Sequence, residues 1–388
     1  MSKAFSLYKE QADVLSDCVF HIVNNRYARA KDQIMILGAN AGTGKTYTAN
    51  VLCQTMKAFG YTGVAIAFTG KAVTQLKKSG IPARTFHSLM YTPVIDETTG
   101  DCIDFKRRTI SEVLAEAGSF IVLDESSMIP KNMWEDLKTI GLPIIALGDY
   151  AQLPPIDQNN PEFNVMHQDH PHIKLTVNRR TDPSLAGIVK LSNHFRDNNT
   201  IPRITGNGLS FIYKRQLDVS YFRENDFDGI LVGTNKMRKN ITSKVRSAKD
   251  IDTSIPTIGE NIMCLKNTMV DSGATSLSNG ELFRVEAVFE GDKSSKFIIR
   301  SIDDPTKTTT IQVINDYWTT EKMPIMRQED RAKYQEFTFG YCFSVWKAQG
   351  SSLNRVLFVD EDVSFFADQQ KFRYTAVSRA AKELVYAR

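Results

Sequence analysis

The chain has 388 residues, 42% hydrophobic and 24% charged, with a formal net charge of +4; this suits an ordinary soluble protein of two or three domains at roughly 100–200 residues each. No apolar run reaches membrane-span length, the start Met1-Ser-Lys-Ala-Phe5 lacks a signal-peptide core, and Cys18, Cys53, Cys102, Cys264 and Cys342 show no CxxC spacing. A membrane span, a secretory leader, a disulfide framework and a cysteine zinc site are thereby set aside in favour of a cytoplasmic protein with reduced thiols, whose weak basicity permits a local nucleic-acid patch without demanding one.

The first predicted element is a helix around Phe5–Leu15, with Leu7, Gln11, Val14 and Leu15 near one face. Gln11 is read either as an amide that meets an adenine edge or as a solvated helix glutamine, and periodicity alone favours the second. An apolar strand then runs into Gly38-Ala-Asn-Ala-Gly-Thr-Gly-Lys-Thr46 and a helix-compatible segment from Tyr47. This is a phosphate-binding loop. Its backbone N–H groups and helix N-terminus present donors and a positive dipole to a triphosphate, with Gly42, Thr43, Gly44, Lys45, Thr46 and Tyr47 as the cradle. Lys45 reaches the β- and γ-phosphates and the Thr46 hydroxyl ligates Mg²⁺. The motif asks for glycine where Ala39 stands. A glycine-rich helix entry with no ligand is the competing reading, and the later motifs weigh against it.

Gly63–Phe68 reads as a buried parallel strand ending in the small polar set Thr69-Gly70-Lys71-Ala72, at the sheet edge where ligands bind. Thr85-Phe86-His87-Ser88 follows as a polar turn. Residues 91–106 suggest two short strands about a Thr99-Gly100-Asp101 turn, either an ornament or a tool. Ser119–Met128 is a strand tipped by Asp124 and Glu125. Paired acids there are costly without a metal or cation; Asp124 suits Mg²⁺ and Glu125 suits activation of the attacking water. A further strand, Pro143–Asp149, leads to Gln152, whose amide suits a γ-phosphate sensor, and to Pro154-Pro155, which stiffens the loop.

His167, His170 and His172 match no metal motif and read as a solvated cluster. Arg180, beside Arg179 at a domain junction, is the preferred arginine finger. Gly229–Thr234 begins a second set of buried strands, and Lys236, Arg238, Lys239, Lys244, Arg246 and Lys249 then decorate a helix, as a solvated face or a phosphate track. Glycine-punctuated β-rich runs from about 255 to 320 predict an inserted small antiparallel barrel. The α/β pattern then returns, with Lys347, Gln349 and Arg379 as polar residues embedded in apolar surroundings.

Taken in order, Gln11, GANAGTGKT (38–46), FTGKA (68–72), TFHS (85–88), DESSM (124–128), GDYAQLPP (148–155), NRR (178–180), SVWKAQGSS (344–352) and YTAVSR (374–379) resemble a superfamily 1B DNA helicase of the RecD-like branch that includes the bacteriophage Dda helicases. The resemblance spans nearly the whole chain. It implies an α/β fold of two RecA-like P-loop cores: core 1 over 1–90 and 107–176, core 2 over 177–254 and 336–388. A β-hairpin pin at 91–106 and an SH3-like barrel at 255–335 complete it. It implies that ATP and Mg²⁺ bind between the cores, with Gln11 reading adenine; Lys45, Glu125, Gln152, Arg180 and Arg379 acting in hydrolysis; and Thr46 and Asp124 holding the metal. Thr69, Lys71, Thr85 and His87, then Ser344, Trp346 and Lys347, would follow single-stranded DNA, and the hairpin would split the duplex, with 5′→3′ movement. Trp346 departs from the family's usual histidine. Implied partners are single-stranded DNA and duplex junctions, with a single-stranded-DNA-binding protein or replisome components beside them, and a monomer as the active form in replication or recombination. Alternatives from the same residues are a translocase that displaces bound proteins without strand separation, an RNA helicase, and a binding module with a degenerate nucleotide site.

Overall fold

A computed structural model describes residues 7–26, 30–95, 102–155, 157, 159–177, 182–270, 275–331 and 333–388. The chain divides into two compact units, Met1–Thr92 with Lys106–Asp182, and Pro93–Phe105 with Pro183–Arg388. Both are discontinuous in sequence.

In the first unit the elements run α1 (Lys9–Asn24), β1 (Ile34–Ala39), α2 (Lys45–Ala58), β2 (Gly63–Ala67), α3 (Gly70–Lys78), β3 (Ala83–Thr85) and α4 (Phe86–Met90). The hairpin strands β4 (Tyr91–Ile95) and β5 (Cys102–Arg107) come next in the chain, their Pro93–Phe105 portion belonging to the second unit, and the first unit resumes with α5 (Ile110–Ala117), β6 (Phe120–Asp124), α6 (Lys131–Lys138), β7 (Ile144–Gly148) and β8 (His172–Leu175). The main sheet has the order β3-β2-β6-β7-β1-β8 with parallel pairings throughout. Its four inner strands, β2, β6, β7 and β1, are apolar on both faces because both are covered. Met35, Leu37 and Ala39 of β1 pack toward α1, α2 and α3, while Ile34 and Ile36 join Phe86, Val113 and Trp134 from α4, α5 and α6. The register pairs Gly38 with Gly148 and Ala67 with Asp124. The segments that follow β1, β2, β6 and β7 therefore leave the sheet along one carboxyl edge.

The second unit continues with α7 (Ala186–Asp197), β9 (Leu209–Ile212), α8 (Val219–Glu224), β10 (Gly229–Val232) and α9 (Asn235–Ala248). Next come β11 (Asn261–Cys264), β12 (Thr268–Val270), β13 (Thr275–Leu277), β14 (Leu282–Phe289), β15 (Ser294–Ser301) and β16 (Thr308–Ile314). The chain closes through α10 (Tyr317–Thr320), α11 (Gln328–Arg331), β17 (Phe337–Phe339), β18 (Cys342–Ser344), β19 (Leu353–Val359), α12 (Gln369–Val377) and β20 (Ala380–Ala387). A parallel sheet, β18-β10-β19-β20-β9, lies between helices, as in a second RecA-like core. The inserted module is an antiparallel sheet, β16-β15-β14-β11-β17, with the ribbon β12-β13 and its own core around Phe283, Phe297, Trp318 and Phe337.

Helix α9 is neither a solvated face nor a phosphate track along its whole length. Arg238 and Arg246 are buried at 7% and 8% exposure. Arg246 forms a two-pronged pair with Glu260 (2.9 and 3.1 Å) and lies over the Phe339 ring, while Arg238 reaches Glu321 and Thr338. Buried guanidinium groups require such partners, and the inserted module supplies them. Among the described residues no helix is long and apolar enough to cross a membrane.

Candidate active site

β1 ends at Ala39, and within the following turn positive φ falls on Gly42 (83°) and Gly44 (90°). Ala39 is a buried strand residue with ordinary backbone, so its methyl group costs nothing there. Gly38, one step earlier, is the position that needs bareness: a β-carbon on it would overlap the Tyr150 ring. Gly44 caps α2 without a side-chain acceptor, and the first turn of α2 carries no acid. That leaves a helix N-terminus suited to an anion. Thr43 is fully buried, its hydroxyl donating to the Asn40 carbonyl, and Tyr47 is 38% exposed.

Gln11 is not solvated. It is 3% exposed, donates from Nε2 to the Thr43 carbonyl at 3.3 Å and accepts from the Tyr8 backbone. Helix α1 is held in place by His21, whose Nε2 meets the Gln33 carbonyl at 3.0 Å. The amide of Gln11 thus abuts the phosphate loop, a placement that periodicity could not give.

Asp124 ends β6 and is 7% exposed, accepting the Glu125 backbone N–H at 2.9 Å. Burial and the adjoining Glu125 carboxylate push its pKa up to about 6, with Lys45 pulling the other way. Glu125 sits in the left-handed region at φ 49°, a strain of about 1–3 kcal/mol for a non-glycine residue. Its Oε2 is buried without a hydrogen-bond partner, and so are Gln152 Oε1 and Ser127 Oγ. Gln152 is itself fixed, donating from Nε2 to Asp149 Oδ2 at 3.3 Å, with Asp149 fully buried. Orphaned acceptors around a desolvated acid pair are the chemistry that a hydrated divalent cation and an attacking water satisfy. The donor set fits Mg²⁺ on Thr46 and Asp124.

Along the same edge, Thr69 caps α3 through its hydroxyl, which accepts the Ala72 N–H, and Thr85 caps α4 by accepting the Ser88 N–H. Lys71 lies in the first turn of α3. His87 sits among the rings of Phe68, Phe86 and Tyr91, and burial lowers its pKa. Two of the three clustered histidines share Tyr150, His167 stacking on its ring and His172 meeting its hydroxyl at 2.7 Å, while His170 packs edge-on to Trp134.

In the second unit Arg379 is 6% exposed and turned onto its own core, donating to Thr375, Ser378 and Ser351. Helix α12, which leads into it, is fastened by Arg373 to the buried carboxylate of Asp360, which also accepts from the Tyr386 hydroxyl. Ser344 ends β18, and its hydroxyl accepts the Lys347 backbone N–H. Trp346 rests against Phe366 and Phe372 of its own unit. Asn235, Arg238, Tyr317, Glu321, Ser344 and Lys347 line a cavity of about 290 Å³, where partial burial and the Arg238 charge lower the Lys347 pKa. Arg180 and the hairpin tip, 96–101, lie outside the described residues. The sequence reading had no role for Asp149, Asp360 or Arg373. An acid closing an apolar strand was the available signal for the first two.

A family model for an AAA domain matches residues 22–208. The chain is 23% identical to the ATP-dependent DNA helicase Pif1 of Psychrobacter sp. over 325 residues, 70% of this chain and 46% of that protein. It is 25% identical to the ATP-dependent DNA helicase dda of Enterobacteria phage T4 over 311 residues, 72% of this chain and 67% of that one. It thus spans about half the length of the Psychrobacter relative. Among solved structures, Pif1 helicase from Bacteroides in complex with ADP-AlF3 and single-stranded DNA superposes with a TM-score of 0.58 at 17% identity, over 99% of this chain and 92% of that one. Pif1 helicase from Candida albicans does so with a TM-score of 0.54 at 16% identity, over 99% and 95%. The chain is thus similar in sequence to Pif1- and Dda-type helicases and shares the fold of the Pif1 structures.

Proposed function

We propose that this relative of the Pif1 and Dda helicases hydrolyses ATP to move along single-stranded DNA in the 5′→3′ direction and unwind duplex ahead of it. The observation that carries the reading is the buried Asp124 beside Glu125, whose Oε2 is buried without a hydrogen-bond partner, in the same unit as the phosphate loop. An acid held so expensively needs a substrate to justify it. Glu125 accepts the proton of the attacking water while Gln152 senses the γ-phosphate, and Lys45 neutralises charge that builds on the transferring group. Arg180 and Arg379 add to that neutralisation, and Gln11 reads the base. Thr46 and Asp124 would hold Mg²⁺, which would supply Lewis-acid chemistry to the phosphate oxygens.

Thr69, Lys71, Thr85 and His87 in the first unit, and Ser344, Trp346 and Lys347 in the second, bind the strand through backbone and stacking contacts. Nucleotide state alters the grip of each unit on the strand, and the 91–106 hairpin parts the duplex. The acting form is a cytoplasmic monomer at single-strand/duplex junctions, alongside single-stranded-DNA-binding protein or replisome components. Duplexes bearing a 5′ or a 3′ single-stranded tail test the reading with ATP present. Separation from the 5′ tail alone is expected. Tail-stimulated hydrolysis without separation would mean a translocase, preference for an RNA tail an RNA helicase, and no stimulated hydrolysis would end the proposal.

A further inference from the structure

The roots of the hairpin are fastened far more firmly than a surface ornament requires. Tyr91, the first residue of β4, donates its hydroxyl to Asp136 Oδ2 at 2.5 Å, from one end of the hairpin to α6. Arg107, the last residue of β5, meets the same carboxylate at Oδ1, 3.0 Å away, and also donates to the Asp136 carbonyl at 3.2 Å and to the Thr139 hydroxyl. One acid therefore takes both ends of the hairpin, one oxygen each. The next residue repeats the arrangement, since Arg108 pairs with Glu116 of α5 at 2.6 Å and donates to the Leu89 carbonyl. Its backbone N–H closes the hairpin base on the Met90 carbonyl at 2.9 Å.

Tyr91 also faces inward. Its ring lies 5.8 Å from His87 and 6.2 Å from Phe86, and His87 lies 5.9 Å from Phe68. Phe68 immediately precedes Thr69 and lies three residues before Lys71, and His87 lies two residues after Thr85, so the chain of rings begins in the two segments proposed to hold the strand. It ends on the carboxylate that holds the hairpin. Burial and the Asp136 charge push the Tyr91 phenol pKa up, which keeps its proton available to donate.

We propose that Tyr91, Asp136 and Arg107 form a positioning clamp that fixes the two roots of the hairpin to the unit that carries the strand-holding segments Thr69–Lys71 and Thr85–His87, so that movement of the strand is converted into separation of the duplex. The inference rests on the helicase reading above and adds to it the residues that couple its two halves. A contiguous set of rings and hydrogen bonds is the kind of network through which such coupling travels. None of the three belongs to the proposed nucleotide site.

The test uses the full chain with three substitutions. Tyr91→Phe removes one hydroxyl and leaves the ring contacts; Asp136→Asn removes the charge that binds Arg107; Asp136→Glu keeps the charge on a longer stem. Duplex separated per ATP hydrolysed is measured beside single-strand-stimulated hydrolysis. For Tyr91→Phe and Asp136→Asn the ratio should fall about tenfold while hydrolysis changes less than about twofold, since small misplacement of a working element costs heavily without touching distant chemistry. The double variant should fall no further than either single one, and Asp136→Glu should recover part of the loss. Amide hydrogen exchange over 91–95 and 102–107, which needs no activity, should quicken in both damaging variants. Unchanged exchange and an unchanged ratio in Tyr91→Phe and Asp136→Asn, with the unsubstituted chain unwinding normally, would overturn the clamp. A chain that hydrolyses ATP yet never separates duplex in any form would overturn the helicase reading, and the clamp with it.

Discussion

Two residues of the phosphate loop carry opposite lessons about its glycines. Ala39 occupies a motif glycine position inside β1, with ordinary strand backbone, whereas Gly44 holds φ at 90° and would bring a β-carbon to 2.6 Å from Gln11 Nε2. Ala39→Gly, which restores the motif, should therefore lower stability by about 0.5–1 kcal/mol and leave nucleotide affinity unchanged, because a strand glycine only adds backbone freedom. Gly44→Ala should cost about 1–3 kcal/mol from the strained backbone and displace the Gln11 amide, with loss of nucleotide binding. Denaturant midpoints and binding of a fluorescent ATP analogue check both, and tighter binding by Ala39→Gly would contradict this account. The turn that carries Lys45 and Thr46 and the strand tip that carries Asp124 were legible in the sequence because each is set by its immediate neighbours. Gln11 was not, since its partner Thr43 lies 32 residues away and helical periodicity describes only the helix's own faces.

The helices and strands divide in the same way. Parallel strands such as β6 and β7 announce themselves as short apolar runs, and the paired acid at the tip of β6 marks the ligand edge. Helix α9 misleads, because a basic pattern looks alike whether its charges meet water, phosphate or buried carboxylates. Its two inward arginines find Glu260 and Glu321, 14 and 83 residues further on. If α9 is a structural bolt, Arg246→Ala should destabilise the second unit by about 3–5 kcal/mol, since it strands Glu260 without its countercharge. Replacing both, as Arg246→Met with Glu260→Leu, should recover most of that loss. Single-strand affinity of the folded double variant should match the unsubstituted chain. Thermal unfolding and fluorescence anisotropy separate these outcomes, and a large fall in affinity at full stability would return Arg246 to the nucleic-acid surface.

At the scale of the whole molecule, both units are assembled from separated stretches, which is why order of motifs, and no single one, carried the family resemblance. The net charge of +4 bears on how such a chain holds a polyanion. Many of its basic groups are already matched: Arg107, Arg108, Arg238, Arg246, Arg355 and Arg373 all face carboxylates. Such groups release few counterions when nucleic acid binds, so the salt dependence should be set by a small number of direct contacts, the proposed strand residues Lys71 and Lys347 among them. With about two to four phosphates neutralised, the logarithm of single-strand affinity should fall against the logarithm of salt with a slope of about −1.5 to −3. Replacing Lys71 or Lys347 by alanine should each make that slope shallower by about 0.7. Anisotropy titrations of a labelled oligonucleotide across a salt series measure all three. A slope steeper than about −5 would require a basic face beyond these residues, and an unchanged slope in both alanine variants would move the strand's path elsewhere on the two units.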